Sequence, residues 1–332
     1  MVSLKDISVR CGVSVATVSK ALNGHKDVSE ATREKLVRVA KEMGYFPNSQ
    51  ARALKTKRTY NIGVMFLDAA DSGLTHEFFA RLLNSFKTYA EESGYDITFI
   101  GRNLGGMKMT AYEHCRYRNV DGMLIACTDF DGSDVREVIE GDIPTVTIDH
   151  VFDTAPAVLS DNENGVKALV EHVIKNGHRK IGFIQGNASS VADIRLRAFE
   201  SAAEENDIRI PAEYIIRGDF HNAPVVYECT RKLMELPEPP TCIFMPDDYS
   251  ALGGMNALRD MGYDVPGDVS VVGYDGMGLS QLISPKLTTY RQNTDAMAKM
   301  AVKALIGLIE NPQTSIEVLT TDGELLEGET VR

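Results

Sequence analysis

Residues 5 to 24 read Lys5-Asp-Ile-Ser-Val-Arg-Cys-Gly-Val-Ser-Val-Ala-Thr-Val-Ser-Lys-Ala-Leu-Asn23-Gly24, and their apolar spacing decides the architecture of the N-terminus. Leu4, Ile7 and Cys11 fall at i, i+3 and i+7, one stripe of a helix that Gly12 breaks. Ser14 is an N-cap residue, and after it Val18, Ala21 and Leu22 repeat the i, i+3, i+4 spacing until Asn23-Gly24 stops the run. The join between these two helices leaves room only for a tight corner. Ser29 then caps a third helix whose Leu36, Val39, Ala40 and Met43 share a face, with Gly44 at C′. Three helices with a glycine corner between the first two form a helix-turn-helix, whose second helix enters a DNA major groove.

Charge points the same way. Residues 1 to 60 hold twelve lysines and arginines against five acidic residues, a net of +7, and the other 272 residues hold 23 basic against 42 acidic, a net of −19. Such an acidic body repels a polyanion, so nucleic-acid contact falls to the basic head. At 332 residues the chain exceeds one domain of ~100 to 200 residues. No apolar run approaches the ~18 residues of a membrane span, and Met1 leads into Lys5, Asp6 and Arg10 without a signal-peptide core, so a cytoplasmic location is expected. Five cysteines, at 11, 115, 127, 229 and 242, form no CxxC pair and are expected as reduced, mostly buried thiols.

The string from Lys5 to Gly24 resembles the DNA-binding head of the lactose and purine repressor family, and the likeness continues through Val28-Ser-Glu-Ala-Thr-Arg-Glu-Lys35 and Gly44-Tyr-Phe-Pro-Asn48. The resemblance implies that Val15 and Ala16 meet base edges, where both offer only apolar contact, for instance to a thymine methyl. Lys20 stands where the family more often has Arg, so it donates to guanine without a planar fork. Thr17, Ser19, Asn23, Ser29 and Thr32 are assigned to phosphates; for Ser14, Ser19 and Ser29 the alternative is a helix cap or a local backbone bond. Residues 47 to 60 contain good helix formers, four cations and one large apolar residue, Leu54, in a segment too short to be a stable helix alone. By the resemblance this is a hinge helix that pairs with its dimer mate in the minor groove, with Leu54 as the wedge and Asn48 also at the DNA.

From Asn61 onward, short apolar runs alternate with helical patterns. Strands are expected at Ile62 to Leu67, Ile97 to Ile100, Met123 to Ala126, Thr145 to Ile148, Lys180 to Ile184, Ile215 to Gly218, Cys242 to Met245 and Ser270 to Gly273. Strands alternating with helices imply α/β architecture with parallel sheets covered on both faces. Eight strands fit two subdomains better than one sheet, here 61–160 plus 290–316, and 161–289 plus 317–332. Ligands of such sheets bind beyond the carboxyl ends of the strands. Those ends carry Asp68, Asp149, Asp219, Asp247, Asp248 and Asp275, some as hydroxyl binders and some as helix caps.

The resemblance extends to Gly177-His178-Arg-Lys-Ile-Gly182-Phe, Pro246-Asp-Asp-Tyr-Ser-Ala-Leu-Gly253, Val265-Pro-Gly-Asp-Val-Ser-Val-Val-Gly-Tyr-Asp275 and Leu287-Thr-Thr-Tyr-Arg-Gln292, which look like the family's periplasmic-binding-protein-like core. It implies that Arg195, in Arg195-Leu-Arg-Ala-Phe199, contacts an effector, with Ala198 replacing the usual glycine, and that Asp247 and Asp275 supply acidic contacts, to which Asp149 is added from its place at a strand end. Asp248 is expected as a cap and interdomain residue. Phe78, Phe79 and Phe220 match aromatic platforms, with a core role as the alternative. Several carboxylates, few arginines and aromatic faces suit a neutral polyol, sugar or nucleoside better than an anion.

The chain carries no GxSxG elbow, no GxxxxGK[ST] loop and no GxGxxG, and its seven histidines lack HExxH or similar metal spacing. The expectation is therefore a homodimeric, DNA-binding transcriptional repressor without a cofactor or metal, binding a near-palindromic operator and controlled by a small-molecule effector, most simply a sugar. The competing readings are a sugar- or nucleoside-modifying enzyme on the same body, a solute receptor, or an effector of nucleobase type.

Overall fold

The structure is a computed structural model that describes residues 2–25, 27–46, 53, 57–67 and 73–332. The chain divides into two compact units, Met1–Thr59 and Tyr60–Arg332. Asn48, Leu54 and Asp68 lie outside the described residues, as does most of the expected hinge helix.

The head contains α1 (Leu4–Cys11), α2 (Val15–Leu22) and α3 (Glu30–Glu42). Each start is capped as its sequence demands: Ser3 and Asp6 form a reciprocal capping box, and the Ser14 and Ser29 hydroxyls accept from the Thr17 and Thr32 amides. Gly12 ends α1 at φ 67°, a left-handed corner that glycine adopts without strain. Ile7, Val18, Ala21, Val28, Leu36 and Ala40 form the head's core.

The body has two lobes. The first is a six-stranded, all-parallel sheet in the order β13-β7-β6-β5-β1-β2. Its members are β1 (Asn61–Phe66), β2 (Asp96–Phe99), β5 (Gly122–Cys127), β6 (Thr145–Ile148), β7 (Ala157–Ser160) and β13 (Val318–Thr321); β3 (Asn103–Leu104) and β4 (Met107–Lys108) form a separate small hairpin. Strand β5 shows why the run is continuously apolar. Leu124 and Ala126 pack into the cluster formed with α4 (Glu77–Glu92) and α11 (Thr294–Glu310), while Met123 and Ile125 pack into the cluster of α5 (Ala111–Arg118) and α6 (Ser133–Glu140).

The second lobe is a four-stranded parallel sheet, β11-β10-β8-β9, built from β8 (Ile181–Gln185), β9 (Ile215–Arg217), β10 (Cys242–Phe244) and β11 (Ser270–Val272). Around it lie α7 (Asn162–Lys175), α8 (Ser190–Glu204), α9 (Ala223–Met234) and α10 (Asp248–Asp260). A two-stranded antiparallel ribbon, β12 (Thr289–Arg291) with β14 (Glu324–Leu326), joins it through bridges Val272–Thr288 and Asp275–Arg291.

The eight expected strands are present within a residue or two of their expected ends. The expected division of the C-terminal segments needs correcting. Residues 290–292, assigned to the first lobe, sit beside the second sheet, and Val318–Thr321, assigned to the second, hydrogen-bond to Ala157–Ser160 at the edge of the first. The edge of a parallel sheet offers unpaired backbone groups, and β13 satisfies those of β7. The chain thus crosses between lobes after β7, after β12 and after β13.

Candidate ligand cleft and nucleic-acid interface

A cavity of about 420 Å³ lies between the lobes of the body. It is lined from the first lobe by segments following β1, β5 and β6, and from the second by segments following β8, β9, β10 and β11. Strand carboxyl ends from both sheets therefore converge on one space, as parallel topology dictates. All seven residues expected at an effector, Phe78, Phe79, Asp149, Arg195, Phe220, Asp247 and Asp275, line it. Asp219 and Asp248 do not.

Arg195 is the centre of the arrangement. It projects from α8, 7% exposed, with Nε donating to Asn162 Oδ1 at 2.7 Å and Nη1 to the Pro246 carbonyl at 3.2 Å. Its Nη2 lies 3.8 Å from Asp275 Oδ1, and its guanidinium carbon is 3.6 Å from the centre of the Tyr274 ring and 5.6 Å from that of Phe220. Gln292 Nε2 donates to the same Asp275 oxygen at 2.6 Å. Burial outweighs these partners and pushes the Asp275 carboxyl up to about 7. Asp149 is likewise pushed up to about 6 by burial, against the opposing pull of Arg195 and the Ser160 amide.

Asp149, His221 and Asp275 all have left-handed backbone, at φ 58°, 52° and 103°. Three such non-glycine residues around one cavity are the kind of local strain that functional sites hold in place.

Asp247 and Asp248 divide the work differently from expectation. Asp247 is the N-cap of α10: Oδ1 accepts from the Ser250 amide at 2.8 Å, and Oδ2 from Ser250 Oγ at 2.8 Å and the His221 amide at 2.7 Å. Asp248 is not the cap. It is buried in the second lobe, accepting from Thr289 Oγ1 at 2.5 Å and the Met277 amide at 2.7 Å. Burial, aided by nearby Asp275, raises its pKa well above the usual carboxylate range.

The aromatic residues also separate. Phe78 is 5% exposed and belongs to the core cluster of the first lobe, reaching the cavity only at its wall. Phe79 is half-buried and packs on Phe66 and His76. The Phe220 ring lies against the Gly186 backbone so closely that a Cβ there would collide with it.

Several lining residues escaped sequence reading: His76, Asp129, Phe130, Asp131, His150, Asn187, Ser190, His221 and Gln292 among them. The His76 and His221 rings, from opposite lobes, stack at 4.2 Å, and Tyr249 stacks on the other face of His221 at 4.1 Å. The Gly278 amide donates to Glu77 Oε1 at 2.6 Å, Arg81 Nη1 to the Gly276 carbonyl at 3.1 Å, and Ser190 Oγ to the Asp149 carbonyl at 3.1 Å. These contacts join the lobes. Loop histidines carry no periodic signal, and their spacing in the sequence did not mark them as cavity residues.

In the head, Val15 and Ala16 are exposed at the start of α2, as a base-reading end requires. Ser14 Oγ bonds Thr17 Oγ1 at 2.8 Å, Ser29 Oγ bonds Thr32 Oγ1 at 2.8 Å, and Asn23 Nδ2 donates to the Ser19 carbonyl at 2.7 Å. The capping alternative is thus realised at Ser14 and Ser29, and Ser19 takes part in a local bond. Lys20 is exposed and paired with Asp27 at 2.5 Å. Among the described residues no group of three or more His, Cys, Asp or Glu is placed to hold a metal, and no helix is long and apolar enough to cross a membrane.

Residues 3–48 match the model of bacterial regulatory proteins of the lacI family, and residues 170–331 that of the periplasmic binding protein-like domain. The chain is 31% identical over 336 residues to the probable HTH-type transcriptional repressor ExuR of Bacillus subtilis (strain 168), covering all of this chain and 99% of that one. It is 31% identical over 340 residues to the HTH-type transcriptional repressor PurR of Vibrio vulnificus (strain CMCP6), with 100% and 99% coverage. Among solved structures it resembles the lac repressor dimer bound to operator and the anti-inducer ONPF, with a TM-score of 0.84, 28% identity and 99% coverage of both chains. A complex of the transcriptional regulator CelR with cellobiose gives a TM-score of 0.74 at 25% identity, covering 99% of this chain and all of that one.

Proposed function

Because the chain belongs to the lacI family of DNA-binding transcriptional repressors, we propose that it represses transcription as a cytoplasmic homodimer on a near-palindromic operator and is controlled by a sugar or related polyol bound between the lobes. The observation that carries the effector reading is the cavity itself. Both sheets present their strand ends to it, and it combines a fixed arginine, carboxylates from both lobes and an aromatic face. Vicinal hydroxyls donate to carboxylates and accept from a guanidinium, and the apolar face of a sugar ring packs on Phe220.

In the head, the proposed base-reading residues are Val15, Ala16 and Lys20, with Ser14, Thr17, Ser19, Asn23, Ser29 and Thr32 at phosphates; Asn48 and Leu54 complete the set by sequence. The proposed effector contacts are Arg195, Asp149, Asp275, Phe79 and Phe220, with Asp247 and Phe78 shaping the wall. We divide the chain into a head of 1–46, a hinge of 47–60 and a body of 61–332. The body is read as a binding module and not an enzyme, because its arginine and aspartates are tied to scaffold partners instead of being set as a base beside a nucleophile.

The test is thermal melting of the full-length protein against sugars, polyols, nucleosides and sugar phosphates, with operator binding measured in parallel. A ligand at 100 times its Kd stabilises by about 2.7 kcal/mol. The expected result is a shift from one sugar, absent in Arg195→Ala and accompanied by a change in operator affinity. A shift from nucleosides or nucleobases alone would move the effector to that class. Turnover of a bound ligand would favour the enzyme.

A further inference from the structure

Charge in the cleft is lopsided. The described lining includes five aspartates, Asp129, Asp131, Asp149, Asp247 and Asp275, against one fixed cation, Arg195, and no lysine. Arg195 does not stand free to balance them, since it already serves Asn162, the Pro246 carbonyl and Asp275 and lies on Tyr274. Asp129 and Asp131 are exposed at the rim, while Asp275 is 8% exposed and Asp149 enters from the opposite lobe. Both inner aspartates have left-handed backbone. Asp275 shares Arg195 and the Gln292 amide, and Asp149 accepts only a long bond from the Ser160 amide, so a scaffold that holds these buried carboxyls against desolvation and backbone strain gains by a ligand that brings them donors and positive charge.

An independent observation concerns hydrogen-bonding capacity. Gln292, 3% exposed and part of the cavity lining, uses its amide N–H on Asp275 and leaves Oε1 buried without a hydrogen-bond partner. An acceptor left over behind the carboxylate that its own N–H serves marks this wall of the cavity as short of donors. An ammonium group offers three donors, no acceptor and a positive charge. A carboxylate or phosphate offers the reverse.

We propose that the ligand of this cleft is an amino sugar, a polyhydroxyl ring bearing a protonated amine that is directed at the carboxylates of Asp149 from one lobe and Asp275 from the other. This rests on the sugar reading above and narrows it. The amine would engage both lobes at once, so the group that sets specificity would also favour the closed cleft.

Calorimetric titration of the full-length protein tests it with matched series: glucose, glucosamine, N-acetylglucosamine and glucuronate, and the corresponding galactose and mannose compounds. One amine should bind at least tenfold more tightly than its neutral parent. N-acetylation, which keeps the bulk and removes the charge, should abolish that advantage, as should Asp149→Asn; Asp275→Asn serves if the first variant does not fold. A neutral parent or N-acetyl sugar binding as tightly as the amine, or a uronate binding more tightly, overturns the amine and leaves the sugar reading standing. Absence of binding by every member, from protein that still binds operator, overturns the sugar reading and this inference together.

Discussion

The guanidinium of Arg195 lies 3.6 Å from the centre of the Tyr274 ring while its edge serves Asn162 and the Pro246 carbonyl. One planar group thus satisfies an aromatic face, a side-chain acceptor and a backbone acceptor simultaneously. Lysine, a point charge on a flexible stem, has donors but no rigid plane that can lie on the ring while its edge serves both acceptors. Arg195→Lys is therefore expected to lose at least tenfold in effector affinity, read by calorimetry, although its charge is kept. Retained affinity would reduce Arg195 to a source of charge.

Asp275 contributes a pH dependence of definite sign. Its folded-state pKa, about 7, lies above the unfolded value of 3.8, so the native state holds a proton that the unfolded chain has released. Stability therefore falls as pH rises from about 4 through 7, and the full deficit is present above 7. Asp275→Asn removes that cost while keeping an acceptor for Gln292. Without ligand, the variant should be more stable than the parent by roughly 1 to 3 kcal/mol at pH 7.5. The difference should vanish near pH 4, as followed by urea unfolding at several pH values. A variant less stable at pH 7.5 would show that the charged pairing with Arg195 outweighs burial.

Lys20 in the head is held by Asp27 at 2.5 Å, with both side chains half exposed. Docking at guanine requires that pair to break. Asp27→Asn should therefore tighten operator binding, whereas Lys20→Ala should weaken it by about 1 to 3 kcal/mol and relax the preference at one base position. Fluorescence anisotropy with operator and scrambled duplexes at two salt concentrations separates the two effects. Equal losses on both duplexes in Lys20→Ala would assign the residue to a phosphate.

Two helix glycines should respond oppositely to alanine. At Gly253 in α10 a Cβ would drive into the Ala223 carbonyl oxygen at the start of α9, whereas at Gly307 in α11 it would meet nothing within 4 Å. Gly253→Ala is expected to cost more than about 2 kcal/mol, since backbone cannot yield as a side chain does. Gly307→Ala should gain roughly 0.5 to 1 kcal/mol from helix propensity. Thermal unfolding of the two variants beside the parent checks both signs.

Much of this is legible in the sequence alone. Helix periodicity and caps set the head from Leu4 to Glu42, because capping and amphipathic packing act within a few residues. The eight apolar runs became strands, because a strand buried on both faces has to be apolar throughout. Strand ends followed by Asp led to Asp149 and Asp275, and the family resemblance led to Phe220.

Strand β13, with Val318 half exposed, carries no such run, and its place beside β7 depends on a sheet edge 160 residues earlier. Asp247 and Asp248 are chemically identical neighbours; which one caps α10 and which one ties down Thr289 is settled by the direction each side chain leaves the turn. The meeting of His76 with His221, and of Gln292 with Asp275, joins residues from separate elements. The sequence by itself determined the head helices, eight of the strands and most of the strand ends where ligand chemistry gathers, since these depend on local spacing. Only the tertiary structure decided lobe membership, the partners of each carboxylate and the gathering of several carboxyl groups around one arginine, since burial and pairing are properties of residues brought together in space.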